Sequence, residues 1–322
     1  VFTLPFTPEP STLKIRLKDT LFSIGSCFSD NIGQQLKDHK FNILTNPLGV
    51  IYNPYSIFKN LRLILSEGID PENFIQNDGV YFHWDTHSAI SGTDLGTFKN
   101  LLAQRSLHAR QSLTNANWMI LTFGSIYVYK YLKTGKIVAN CHKVPSQQFE
   151  KMELSIPEII EDYRQTMELI RSINGDVKVI LTVSPVRHIR EGLVANNYSK
   201  SALLQAVHKI TNQDPNAYYF PSYEIMIDEL RDYRFYKEDM IHPSEQAITY
   251  IWEQFVKTYM DTDSQKFIQE WARIKKSLEH RAFHPQATNH QKFLKSTIQK
   301  LEKLGTRVDV SSELELIKKQ LL

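Results

Sequence analysis

Residues 21–33 read Leu21-Phe22-Ser23-Ile24-Gly25-Ser26-Cys27-Phe28-Ser29-Asp30-Asn31-Ile32-Gly33. Leu21 to Ile24 is a short apolar run with the look of a buried strand, and Gly25 breaks it. A helical pattern starts at once, with Ile32, Leu36 and then His39 on its spacing. A strand, a tight turn and a helix N-terminus in that order leave free N–H groups that favour negative charge. A thiol in such a turn has its pKa lowered, and its thiolate is a good nucleophile. The plainer alternative is an N-cap serine beside a buried structural cysteine.

Working outward, Phe41 to Leu44 is a second strand, ending in Asn46-Pro47-Leu48-Gly49, and residues 55–66 form a helix. Residues 67–96 are irregular, rich in Gly, Asp and Asn, and too long for a plain connector, which suggests a functional or capping insertion. Residues 97–113 are helical; Trp118 to Phe123 is an apolar strand ending at Gly124. Thr134-Gly135 lies between Ile126–Leu132 and Lys136–Ala139, a hairpin pattern. Helices over 154–173, 199–211, 222–232 and from Pro243 to Met260 alternate with strands at 177–183 and 217–220. Five strands alternating with helices imply a parallel sheet covered on both faces. In a doubly wound sheet of that kind ligands sit at the carboxyl ends of the strands. Residues 1–20 read as extended, draped over the core. From about residue 262 Lys, Gln, Glu and Leu dominate, and helices are expected at 263–280, 288–304 and 311–321, packed on the domain or on a second copy of the chain. The organisation is thus an α/β domain over 1–260 and a helical extension over 261–322.

The bulk properties of the 322 residues narrow the function. Hydrophobic content of 42% and charged content of 23% are those of a soluble globular protein. A net charge of +3 indicates no strong pull toward nucleic acid or an acidic membrane. Two cysteines cannot make a disulfide framework, and neither sits in a CxxC. No apolar run is long enough to span a bilayer. Val1-Phe2-Thr3-Leu4-Pro5 lacks the charged region and apolar core of a signal peptide, so a cytoplasmic location is expected. Neither GxGxxG nor GxxxxGK[ST] occurs, so no organic cofactor is expected.

Several residues are chemically suggestive. In Asp239-Met240-Ile241-His242 a carboxylate precedes a histidine by three residues, just before a helix. The carboxylate can orient the imidazole, which then acts as general base toward a nucleophile on another loop; the plainer reading is a surface loop with a capping aspartate. His142 and Lys143 are candidates for binding a substrate carboxylate or phosphate, although lone residues of these types are more often structural or solvated. His83, Asp85 and His87 alternate, which can present ligands on one side of an extended segment; a metal would need a further ligand and a second layer of support. Arg187-His188, after Ser184-Pro185-Val186, are placed to line a pocket from the opposite wall. Trp84, Tyr52 and Tyr55 can stack on a sugar or simply pack. Cys141 is a redox partner for Cys27 only if the fold brings them together.

Gly25-Ser26-Cys27-Phe28-Ser29 resembles the signature of the GSCFA domain family, with Ser29 in place of the final Ala. Asn46-Pro47-Leu48-Gly49, Tyr52-Asn53-Pro54, Asn140-Cys141-His142-Lys143, Ser184-Pro185-Val186 and Asp239-Met240-Ile241-His242-Pro243-Ser244 resemble that family's other blocks, in its order. The resemblance covers residues 1–260. The family is similar to the SGNH (GDSL-type) hydrolases, so it implies a flavodoxin-like three-layer α/β/α SGNH-hydrolase-like fold with a parallel five-stranded sheet. Aligning Gly25 with the glycine of Gly-Asp-Ser places Cys27 on the nucleophilic serine, with Ser26 as its rival. His242 and Asp239 then complete a nucleophile–His–Asp set. Backbone N–H groups of Cys27 and Gly49 are the natural oxyanion donors. The superfamily's asparagine in Gly-x-Asn is missing: Gly124-Ser125-Ile126 stands there, leaving Asn140, or less well Ser125, to supply the third donor. If Asn140 does not, it is a hairpin-end residue satisfying backbone groups. The implied activity is hydrolysis or acyl transfer on an ester, with an acylated carbohydrate as substrate class. The alternatives are a binding protein that kept the pocket and a metal-dependent hydrolase using His83, Asp85 and His87.

Overall fold

The computed structural model describes residues 4–66, 70, 73–280 and 282–321. Along the chain β1 (Thr20–Gly25) leads into α1 (Cys27–Asp38), and β2 (Asn42–Thr45) into α2 (Pro54–Leu65). A hairpin of β3 (Phe74–Asn77) and β4 (Val80–His83) precedes α3 (Leu95–Thr114) and β5 (Trp118–Phe123). Then come β6 (Tyr127–Tyr131), β7 (Ile137–Val138), β8 (Phe149–Glu153), α4 (Ile156–Ile173), β9 (Lys178–Val183), α5 (Gly192–Gln213) and β10 (Ala217–Tyr219). A helical turn, α6 (Ser222–Glu224), precedes α7 (Glu245–Tyr259), α8 (Thr262–Glu279), α9 (Thr288–Leu304) and α10 (Ser311–Lys318).

The central sheet has the order β2-β1-β5-β9-β10, every pairing parallel. This is the flavodoxin-like order, and its switch point falls between β1 and β5. Side chains alternate across it. Phe22, Met119, Leu121, Val179 and Leu181 pack under α2, α3, α4 and α5 with Phe58, Leu113, Met167 and Leu203. Leu21, Trp118, Ile120 and Ile180 face the other way, against Phe28 and Ile32 of α1 and Ile251 and Phe255 of α7. Burial on both faces explains why these strands read as unbroken apolar runs. The helix starts follow local chemistry: Asn53 caps α2 with Pro54 behind it, and Ser155 with Glu158 forms a capping box on α4.

The insertion expected over 67–96 contains the β3–β4 hairpin; its residues 67–69 and 71–72 lie outside the described ones. It packs through Trp84 against Tyr131 and Val138 of the second antiparallel sheet, β7-β6-β8. Strand β8 has four exposed residues in a row, so its sequence carries no alternation to reveal it. The helix expected over 222–232 is instead α6 followed by a wide π turn, Ile225–Glu229, which turns Ile225, Met226 and Glu229 inward. Glu229 there accepts from Tyr250 Oη at 2.6 Å and Phe6 N at 3.2 Å. The leading segment does drape over the core: Ser11 N donates to Thr258 O and Ile15 N to Tyr259 O. Helices α8–α10 share a small core of Phe267, Trp271, Leu294, Leu301 and Ile317. They lean on the end of α1, where Trp271 Nε1 donates to Asp38 O at 2.7 Å.

Candidate active site

The turn between β1 and α1 is held from three sides. Gly25 N donates to Asn46 Oδ1 (2.9 Å), Ser26 N to Thr122 O (3.1 Å), and Gly25 O accepts from Ile51 N (2.9 Å). Gly25 sits at φ +154°, and a β-carbon on it would lie 2.3 Å from Thr122 O, so only glycine fits. Ser26 is the N-cap of α1; its hydroxyl accepts from Phe28 N and its side chain is buried. Cys27, half-buried, is the first residue of the helix, and its Sγ lies 3.6 Å from Tyr52 Oη. Among the described residues the Cys27 N–H has no intramolecular acceptor. Of the two rivals, then, serine is engaged in capping and the thiol is the accessible group.

The other expected oxyanion donors are otherwise occupied. Gly49 N–H donates to Asn46 O at 2.8 Å, closing a turn, so Gly49 is not a free donor here. Glycine is required there for a different reason: at φ +83° its missing β-carbon makes room for His87, whose Cβ would be 2.3 Å away. Gly124 N and Ser125 N both donate to Tyr52 O, at 2.7 and 3.1 Å. Ser125 Oγ accepts from Tyr127 N and is buried, so this residue shapes the chain exit from β5. In sequence Asn46 is one residue of the Asn46-Pro47-Leu48-Gly49 block. In the structure it is a brace, its amide also donating to Asp30 Oδ1 at 2.6 Å, one helical turn beyond Cys27.

Lys200 is a functional candidate that sequence reasoning missed. It lies on α5, is 1% exposed, and donates to Gly124 O (2.8 Å) and Ser184 O (2.7 Å). An ammonium group thereby ties the end of β5 to the end of β9. Burial pushes it down to about 7, while Cys27 acts in the opposite direction. Its one sequence signal is a lysine inside an otherwise core-facing helical stripe, among Leu203, Val207 and Ile210.

The histidine loop follows β10. Asp239 Oδ2 accepts from His242 Nδ1 at 2.7 Å, and Oδ1 accepts from the backbone N–H of His242 (2.9 Å) and Ile241 (2.8 Å). These bonds, the His242 backbone first, hold the Asp239 carboxyl down at about 2. With Nδ1 on the carboxylate, Nε2 has no partner among the described residues. Arg187 was expected to line the pocket. It braces this loop: its N donates to Ile241 O, its Nη1 to Met240 O at 2.9 Å, and its guanidinium stacks 4.0 Å from the Tyr236 ring. The loops after β1, β5, β9 and β10 thus adjoin in sequence along the carboxyl edge. A methyl on Gly124 would sit 3.4 Å from Ser26 Cβ, Lys200 joins Gly124 to Ser184, and Arg187 joins this stretch to the Met240 and Ile241 carbonyls of the histidine loop. In this structure the Cys27 sulfur is hydrogen-bonded to Tyr52 and not to His242.

The insertion residues have structural partners. His142 is 1% exposed, with Nε2 on His83 O (2.8 Å), Nδ1 on Ser88 Oγ (3.0 Å) and Phe82 stacked at 4.8 Å. Burial pushes it down to about 4, so it is neutral at pH 7 and is no cation for a substrate anion. Asn140 Oδ1 accepts from Ser88 Oγ and His142 N, a hairpin-end role for its oxygen. Lys143 is exposed. The metal alternative fails on the same ground. His83 uses Nε2 on Asp70 O and Nδ1 on Asp85 N; Asp85 is paired with Lys59 (2.5 Å) and Asn73 (2.9 Å). Among the described residues no group of three or more His, Cys, Asp or Glu is placed to hold an ion. Cys27 and Cys141 are both free thiols, and burial raises that of Cys141.

A buried neutral histidine makes stability depend on pH. His142 titrates in the fold near 4 against 6.5 for the free side chain, so the unfolded chain binds the extra proton between these values. Stability therefore falls as pH drops from 6.5 toward 4, by about 3 kcal/mol in total. Denaturant unfolding at pH 6.5 and 4.5 should show this loss, and His142→Gln should flatten it; an unchanged slope in the variant would remove His142 as the cause.

A flavodoxin-like sheet with a thiol on its first βα turn and an Asp–His loop after its last strand defines a three-layer α/β/α protein with a candidate site at its carboxyl edge. Solved structures similar to it include a carbohydrate esterase family 3 protein from Talaromyces cellulolyticus (9% identity, 80% of this chain and 99% of that one, TM-score 0.33). An acetyl xylan esterase from Butyrivibrio proteoclasticus (10%, 83% and 66%, TM-score 0.37) is also similar. So is a family two carbohydrate esterase from Clostridium thermocellum in complex with cellohexaose (10%, 84% and 66%, TM-score 0.36). No curated protein sequence matches the chain significantly. Residues 20–255 match the GSCFA family, and residues 271–322 match the C-terminal domain of GSCFA domain proteins. The chain belongs to the GSCFA family.

Proposed function

We propose that this protein is an ester hydrolase or acyltransferase in which Cys27 is the nucleophile. The carrying observation is the 2.7 Å Asp239–His242 bond, which leaves Nε2 available on the same sheet edge as an accessible thiol at a helix N-terminus. In the reaction, His242 takes the Cys27 proton and Asp239 holds the resulting imidazolium. The thiolate attacks the ester carbonyl, and the alkoxide leaves with the proton from His242. Water or an acceptor hydroxyl then cleaves the thioester, with His242 again as base. The reaction requires side-chain rotation of the partly exposed His242 to bring Nε2 to the sulfur on substrate binding. The substrate class, a small ester such as an acylated carbohydrate, follows from the family resemblance.

The test is a thiol-reactivity profile. Iodoacetamide should alkylate Cys27 at pH 7 at least about tenfold faster than Cys141, whose thiol burial holds up. His242→Ala should slow Cys27 alone. Equal rates at the two cysteines would remove the nucleophile assignment. Among the described residues no helix is long and apolar enough to cross a membrane.

A further inference from the structure

An acyl-transfer site needs donors for the developing oxyanion, and here most expected ones are spent. Gly49 N–H is bonded to Asn46 O, Gly124 and Ser125 N–H to Tyr52 O, and the Gly-x-Asn asparagine is replaced by Ile126. Cys27 N–H remains. The side-chain polar group against the sulfur is the Tyr52 phenol, at 3.6 Å. Its place is fixed rather than incidental. The Tyr52 carbonyl holds the two N–H groups at the end of β5, and the next residue, Asn53, caps α2 through Ser56 N at 2.8 Å. The phenol is thus suspended from two anchored segments beside the β1–α1 turn.

We propose that Tyr52 is a catalytic residue of the reaction proposed above, donating a hydrogen bond from Oη to the oxyanion in place of the missing asparagine. The Cys27 sulfur lone pair forms the S–C bond, and the carbonyl π pair moves onto oxygen. That O⁻ is held by Tyr52 Oη–H and Cys27 N–H without proton transfer. On collapse the C=O bond re-forms, the C–O bond to the alcohol breaks, and His242 protonates the leaving oxygen. A donor has to lie about 2.7–3.1 Å from the oxyanion, which is one bond beyond the carbon attacked, so a phenol touching the sulfur is within reach. Burial and the neighbouring Cys27 push the phenol above its ordinary range, which keeps the proton on oxygen throughout neutral pH.

The inference rests on Cys27 as nucleophile, and two reagents separate the two ideas. Acylation of Cys27 by p-nitrophenyl acetate passes through an oxyanion; alkylation by iodoacetamide does not. Tyr52→Phe keeps the ring and the backbone anchors. It should lower the acylation rate about 100-fold while alkylation stays within about threefold, with the melting temperature unchanged. If wild-type protein acylates and the variant keeps the acylation-to-alkylation ratio within about threefold, Tyr52 is not the donor, whatever Cys27 does. If wild-type Cys27 is alkylated but never acylated, the acyl-transfer reading falls, and Tyr52's role with it.

Discussion

Cys27→Ala is expected to lower kcat on p-nitrophenyl acetate by at least about 10³-fold, whereas Ser26→Ala leaves turnover within about tenfold. The contrast comes from geometry. Ser26 is buried and its oxygen caps Phe28 N, so its removal strips a helix cap and costs about 1 kcal/mol of stability. Cys27 has the accessible thiol, at the first helical position. Steady-state assays with urea unfolding on both variants read the two effects separately. The reverse pattern, an inactive Ser26→Ala beside an active Cys27→Ala, would transfer the role to the serine.

The second large effect is expected at the histidine loop. His242→Ala should cost about 10³-fold in kcat, and Asp239→Asn about 10²- to 10⁴-fold, because an amide no longer holds the ring with Nε2 free to take a proton. Asp239 titrates near 2. Its depressed pKa means the Asp239–His242 pairing is complete above about pH 4 and is lost only as pH falls through about 2. The acid limb of kcat/KM between pH 5 and 8 should therefore not report Asp239. Assays over that range on wild type, His242→Ala and Asp239→Asn check this. Turnover indifferent to Cys27, His242 and Asp239 together would point to a binding protein that kept the pocket.

The architecture was largely readable. Apolar runs at Leu21, Trp118 and Val177 could only be strands buried on both faces, and the helices between them carried their period and caps. Gly25 marked the turn because strand and helix periods meet there. Less visible were elements whose side chains do not alternate, such as β8, and the π turn at Ile225–Glu229, which answers to packing against α7 and not to local preference. Lys200 was hidden because a buried lysine and a solvated one are spelled alike. His142 and Asn140 looked like ligands because polar residues on a turn announce hydrogen bonding but not its partner.

By itself, then, the sequence determined the alternation of strand and helix, the site of the β1–α1 turn and the Asp-x-x-His unit, since each depends on neighbours within a few residues. Only the tertiary structure decided which polar groups stay available for chemistry. Asn140 Oδ1 and the His142 ring are engaged by Ser88 and His83 from another segment, while Tyr52 Oη is delivered to the Cys27 sulfur and Lys200 to two strand ends. The physical reason is that a buried donor or acceptor must find a partner, and that partner is chosen by the fold rather than by the chain nearby.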